Sequence, residues 1–426
     1  MYRLLYSFLI YLALPLILLR LAKRSFRERG YRRFLTERFG WFRTETPGEV
    51  IWIHAVSAGE TIAAVPLVQW LVEAGYRCLI TNMTPAGRDC VSRLLGEQVE
   101  NCYVPYDLPG AVSRFLNNNR PCLLLTIDTE LWPNTMAACA HRDIPTALVN
   151  GRMSARSAAG YARFPLTTWR MLRSMSLIAV QTEAHAQRFK TLGADPEVVQ
   201  VTGSIKFDAV YDDDHETRTV RARRLLSGRP VLLAASTHKG EEEALVACLS
   251  ELAAYIPDIL LVLAPRHVHR SSSIENYCEA AGFGTQVLSQ TSKLGRDDSI
   301  LILDVMGELE SYLTIARVAF VGGSLVPIGG HNLLEAVRAG AAVVMGPHLY
   351  NVEDIAQEFV DRNAMCSVTD IEELHGAIFD LMLNEDRRTA MVVAAAEVLD
   401  ENRGAIQRNI ELIRRLIGPK DEPRSH

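Results

Sequence analysis

From residue 49 onward, short apolar runs alternate with segments whose apolar positions recur at helical spacing. In the first half the runs cover 50–56, 78–83, 102–106, 123–128, 146–150, 177–181 and 198–202. In the second they cover 230–236, 259–264, 300–303, 318–321, 342–345 and 365–368. Most are continuous and rich in Val, Ile and Leu, without alternation. Strands buried on both faces have that pattern, which predicts parallel sheets covered by helices. A polar break, Tyr211-Asp212-Asp213-Asp214-His215-Glu216, falls inside the boundary region 205–228. The expectation is an α/β protein with two doubly wound Rossmann-like domains, 49–210 and 211–417, and a tail at 418–426. Ligands of such sheets bind beyond the carboxyl ends of the strands, here in a cleft between two sets of strand ends. The helical stretch 384–417 is long enough to pack back across that cleft, a point the sequence leaves open.

Before residue 49 the pattern changes. Residues 4–19 carry no charge. As a helix they span about 24 Å, a little short of the ~30 Å hydrocarbon core of a bilayer. Tyr2, Tyr6 and Tyr11 suit its interface, and Arg3 and Arg20 can reach outward from it. Residues 1–20 are therefore read as a membrane anchor. With Pro15 and the short length, both a span and a segment lying in one leaflet fit, and a buried N-terminal helix is the alternative. Residues 1–43 hold ten Lys or Arg against two Glu, a net +8, whereas the remainder, with 35 basic and 48 acidic residues, is −13. The segment 21–48 is thus a basic neck on an acidic body. It favours an anionic surface at the N-terminus and places the body in the cytoplasm by the positive-inside rule. The eight cysteines are scattered without metal-ligand spacing and read as reduced thiols.

Candidate chemistry sits where strands end. Ile51-Trp52-Ile53-His54-Ala55-Val56-Ser57-Ala58-Gly59 leads into Glu60 and then a helical pattern. Glu60 there is either a proton acceptor for a substrate hydroxyl or a first-turn partner of the helix dipole. Val321-Gly322-Gly323-Ser324-Leu325-Val326-Pro327-Ile328-Gly329-Gly330-His331-Asn332 joins a strand to a helix, as a phosphate-binding loop does, although it matches neither the Rossmann fingerprint nor Walker A. Glu335 follows one turn later, placed for ribose hydroxyls or for the helix dipole. Pro265-Arg266 and Met306-Gly307-Glu308 stand at further strand ends of the same half. In the first half, Asp128-Thr129-Glu130-Leu131-Trp132-Pro133-Asn134 leaves another strand, and Gly203-Ser204-Ile205-Lys206-Phe207-Asp208 lies at the boundary. Gly151-Arg152-Met153-Ser154-Ala155-Arg156-Ser157, small and cationic, suits a carboxylate or phosphate.

Seven of these stretches, read in order, carry a resemblance: His54 to Glu60, Thr129 to Asn134, Gly203 to Asp208, Ser236 to Glu242, Pro265 to His267, Met306 to Glu308, and Gly329 to Glu335. Together they resemble the motif set of the 3-deoxy-D-manno-octulosonic acid (Kdo) transferases over nearly the whole chain. The resemblance implies a GT-B glycosyltransferase at the cytoplasmic face of an inner membrane. Such an enzyme moves Kdo from CMP-Kdo to a lipid A precursor (lipid IVA) by inversion and releases CMP, without a metal, cofactor or nucleic acid. It implies that Glu60 is the proton acceptor and that Glu130 and Lys206 stabilise the transition state. It also implies that Pro265, Arg266, Met306, Gly307, Glu308, Asn332, Leu333, Leu334 and Glu335 bind CMP. The domain 49–210 would take the acceptor and 211–417 the CMP-Kdo. Ala58, Lys239 and Leu333 depart from the usual Val, Glu and Pro. A UDP-sugar transferase or epimerase on the same fold is the rival reading, and a scaffold that has lost catalysis is another.

Overall fold

The computed structural model describes residues 2–27, 29–45, 50–208 and 214–417. Its first sheet contains β1 (Val50–His54), β2 (Arg77–Asn82), β3 (Glu100–Tyr103), β4 (Pro121–Ile127), β5 (Thr146–Gly151), β6 (Leu177–Val180) and β7 (Val199–Val201). Its second contains β8 (Val231–Thr237), β9 (Leu260–Pro265), β10 (Gly284–Val287), β11 (Asp298–Ile302), β12 (Val318–Val321), β13 (Ala342–Met345) and β14 (Cys366–Ser367). All pairings are parallel, in the orders β3-β2-β1-β4-β5-β6-β7 and β10-β11-β9-β8-β12-β13-β14. The first order reverses between β1 and β4 and the second between β8 and β12, with β10 set outside β11 at the edge. Those reversals open crevices at the strand ends.

Every apolar run forms a strand, because both faces of each sheet are covered. Leu123, Leu125, Ala147 and Val149 pack on one face of the first sheet, and Leu124, Leu148 and Ile178 on the other. The sequence reading has no counterpart to β10. This strand is polar (Gly284, Thr285, Gln286) and, among the described residues, pairs only with β11, so an edge position relieves it of the apolar pattern that buried strands need.

The chain divides into two compact units, 1–210 with 402–426, and 211–401. The expected domain 211–417 is therefore shortened at its end. The stretch 384–417 is two helices, Glu385–Asn402 and Ala405–Ile417. The second adds Ala405, Ile410 and Ile413 to the core of the first unit. Asp208 fixes its start by accepting from the N–H groups of Gly404 (2.7 Å) and Ile406 (2.6 Å). Half of the expected polar break, Tyr211 to Asp213, lies outside the described residues, as does the tail 418–426.

The N-terminal helix Tyr2–Arg27 runs seven residues into the stretch expected as neck. By length and composition its part Arg3–Phe26 can cross a membrane. Tyr6 Oη donates to Asp107 Oδ2 (3.0 Å) and Ser7 Oγ to Asn134 Oδ1 (3.0 Å), so one face of the helix is docked on the first unit. Leu4, Leu5, Phe8, Leu9, Leu12, Leu16 and Leu19 remain exposed. The neck is not uniformly a basic surface. Arg38 is buried, stacks on Tyr103 (4.1 Å) and donates to Met83 O, while Glu37 pairs with Arg88 at 2.6 Å.

Candidate functional site

In the first unit, three carboxylates and a lysine gather at the β1/β4 crevice. Ser57 ends the strand segment in extended conformation and caps the helix Ala58–Glu73. Ser57 and Glu60 stand at capping-box spacing. Ser57 Oγ donates to Glu60 Oε1 (2.9 Å), and the Val56 N–H donates to Oε2 (2.6 Å). The helix-start role is thus real, and it also immobilises the carboxylate. Burial, and next the charge of Asp128, push the Glu60 carboxyl up to about 7. An acceptor with that affinity changes protonation near neutrality, where general-base catalysis is most effective.

Asp128 leaves β4 with φ at 56°, a left-handed turn that re-aims the chain at the strand end. Asn150 Nδ2 donates to Asp128 Oδ1, and Asn150 Oδ1 accepts from the Ile205 N–H (3.1 Å). Lys206 Nζ lies 3.8 Å from Asp128 Oδ2. Glu130 is oriented by Trp132, whose Nε1–H donates to its Oε2 at 2.9 Å. Burial pushes Glu130 up to about 6 against that bond, with Asp128 adding to the rise. Glu60, Glu130 and Lys206 therefore meet around Asp128, which the sequence placed at the head of the candidate stretch 128–134 without a role of its own. His54 is a core residue: its Nδ1 contacts Thr81, and burial lowers it to about 4.

In the second unit the stretch after β8 builds a support. Thr237 Oγ1 donates to Glu242 Oε1 (2.9 Å), and Arg270 holds the same carboxylate with two bonds, 2.7 and 3.2 Å. Glu241 is fully buried and accepts from the N–H groups of His238 (2.8 Å), Gly323 (2.9 Å), Ser324 (3.1 Å) and Leu325 (3.0 Å). The glycine loop thus encloses the protein's own carboxylate, not an open anion cradle. Gly322 is required there, because a Cβ would come within 2.6 Å of Ser236 O and 2.8 Å of Glu241 Oε2.

Pro265 ends β9, and the following Arg266 is exposed, with its N–H bonded to Thr237 O at 3.0 Å. Met306 is exposed and Gly307 has φ at 87°. Glu308 is buried and paired with Arg221. Asn332 is exposed and donates to Glu335 Oε1 (3.1 Å). Leu333 and Leu334 send their side chains into the core, leaving only backbone for a ligand. Burial, then the Glu310 charge, push Glu335 up. Arg266, Asn332 and Glu335 thus supply charged and polar groups at one sheet edge. Among the described residues, no three His, Cys, Asp or Glu side chains converge as metal ligands.

Comparison with known proteins agrees with this architecture. The UDP-GlcNAc 2-epimerase from Neisseria meningitidis superposes with a TM-score of 0.59, covering 86% of this chain and 99% of that one at 12% identity, a likeness of fold alone. Residues 33–209 match the family model described as 3-deoxy-D-manno-octulosonic-acid transferase. The 3-deoxy-D-manno-octulosonic acid transferase of Haemophilus influenzae is 36% identical, covering 97% of this chain and 98% of its own. That of Bordetella pertussis is 34% identical over 95% of this chain and 97% of its own. At that identity over nearly the full length, this chain belongs to the Kdo transferase family, glycosyltransferases of the two-domain GT-B fold.

Proposed function

We propose that this Kdo transferase moves Kdo from CMP-Kdo to a hydroxyl of a lipid A precursor, lipid IVA, with inversion at the anomeric carbon, and releases CMP. Glu60 is the base. The observation that carries the reading is a carboxylate fixed by Ser57 and Val56 at the end of β1 and raised to about 7. A hydroxyl is a poor nucleophile at neutral pH, and an acceptor that takes its proton late in attack lowers the barrier. Direct displacement needs one base and no covalent intermediate. Lys206 offsets the charge of Asp128 and, with Glu130, positions the acceptor and stabilises developing charge. Arg266, the stretch Met306-Gly307-Glu308, the backbone of Leu333 and Leu334, and Asn332 with Glu335 hold CMP on the second unit. The apolar helix Arg3–Phe26 attaches the body to the cytoplasmic leaflet of the inner membrane, where the lipid acceptor resides.

Glu60→Gln tests the assignment. Transfer from CMP-Kdo to lipid IVA, followed by product mass spectrometry, falls at least about a hundredfold, the usual worth of a positioned base. CMP affinity by calorimetry stays unchanged. Near wild-type turnover in a folded Glu60→Gln protein removes Glu60 from the role.

A further inference from the structure

The loop after β12 has the glycine content of an anion cradle, but its donors are committed within the unit. Glu241 takes the N–H groups of Gly323, Ser324 and Leu325. Those of Gly329 and Gly330 go to Gly323 O (2.9 and 2.7 Å), and that of His331 goes to Gly322 O (3.2 Å). An anion arriving at the loop itself, before the backbone of Leu333, is therefore met by side chains. The side chains gathered there are imidazoles beside a guanidinium. His238 Nε2 lies 2.8 Å from His331 Nε2, with the rings 11° from parallel. At that separation one hydrogen lies between the two nitrogens, so one ring donates and the other accepts. His267 stands edge-on to His238 at 5.8 Å, and His269 stacks on His267 at 5.6 Å. The His331 ring rests on Gly323, where a Cβ would come within 2.9 Å of its Cδ2 and Nε2. The loop's glycine thus makes room for an imidazole.

We propose that the His238–His331 pair, with Arg266, forms the subsite for an anionic oxygen of the donor, either the phosphate of its nucleotide or the carboxylate of its sugar. The proposal rests on the Kdo transferase reading above and adds two residues to it. Burial, Arg266 and the neighbouring imidazoles hold His331 neutral, with its pKa lowered to about 4. Burial lowers His238 as well, while Glu242 opposes the shift and Arg270 and Arg266 reinforce it. A bound oxyanion reverses this balance. The pair takes one proton from solvent, the shared hydrogen bond opens, and each Nε2–H turns to the anion. Charge-assisted bonds of this kind are the stronger class of hydrogen bond.

The test replaces each ring by one of similar size without nitrogen, His238→Phe and His331→Phe, in the full chain. Binding of CMP and of cytidine is measured by calorimetry, and the KM for CMP-Kdo by transfer assay. If the pair holds the phosphate, CMP affinity falls about tenfold or more while cytidine affinity is unchanged. If it holds the sugar carboxylate, CMP affinity is kept and the KM for CMP-Kdo rises about tenfold. Both outcomes support the proposal, and His238→Gln, which restores a donor, then recovers part of the loss. Unchanged CMP affinity together with unchanged KM overturns it. Because His331 packs against Gly323, His238→Phe decides the matter should His331→Phe fail to fold. A wild-type protein that transfers no Kdo and binds no CMP removes the functional reading itself, an outcome distinct from inert histidine variants.

Discussion

Asp128→Asn isolates the electrostatic part of the proposed base. Three causes raise Glu60 from an ordinary 4.5 to about 7: burial first, then the Asp128 charge, and last the Glu130 charge. The substitution removes only the second. Asparagine keeps the shape, and its oxygen still accepts from Asn150 Nδ2. A like charge in this partly exposed setting is worth about 1 kcal/mol, or ~0.7 pH unit. The acid limb of the transfer rate, half-maximal near pH 7 in the wild type, accordingly moves down by about 0.7 unit. Initial rates of CMP release across about pH 5 to 9, at saturating donor and acceptor, give that midpoint. Lys206 loses its carboxylate neighbour at 3.8 Å, which changes the plateau height and leaves the midpoint as the diagnostic quantity. A midpoint that stays near 7 or moves upward refutes the coupling. Stability runs the opposite way to activity. The folded pKa of Glu60 lies above its unfolded value, so its contribution is fully present below 4.5 and is lost as pH rises through about 7. The whole shift corresponds to about 3 kcal/mol, reduced to about 1–2 kcal/mol by partial exposure. In Glu60→Gln that fall in stability across the same pH window disappears from denaturant titrations.

Two further substitutions test the supports. Glu241→Ala leaves the N–H groups of His238, Gly323, Ser324 and Leu325 without their acceptor, at a cost of about 3–5 kcal/mol in urea unfolding of the second unit; a loss below about 1 kcal/mol shows that the carboxylate does not organise the loop. Asp208→Ala releases the start of the helix Ala405–Ile417 and costs about 1–2 kcal/mol, with faster hydrogen exchange in that helix. Unchanged exchange there means that Ala405, Ile410 and Ile413 hold the helix by packing alone.

The fold was legible because a strand covered on both faces has to be apolar throughout, as Leu123, Leu124 and Leu125 illustrate. Where that condition lapses, in the edge strand of Gly284, Thr285 and Gln286, the pattern lapses too. Glu60 and Glu130 were legible as carboxylates at strand ends. Asp128 stood in the same stretch, but its place as their meeting point was not legible, because that comes from Asn150 and Lys206, which arrive from β5 and from beyond β7. The glycine loop was misread for the same physical reason. Its composition describes a shape that accepts an anion, while the anion itself, Glu241, is supplied from 82 residues earlier in the chain. Likewise the neck's charge count did not reveal that Arg38 is buried against Tyr103.

Glu241 has a kinetic consequence for turnover. A loop whose amides were open to a ligand would order around it and loosen when it left, adding a folding step to each cycle. Here the loop is held by a carboxylate that never dissociates. On the proposed reading, nucleotide association then carries no ordering cost for this segment, and departing CMP leaves behind a surface already shaped for the next donor.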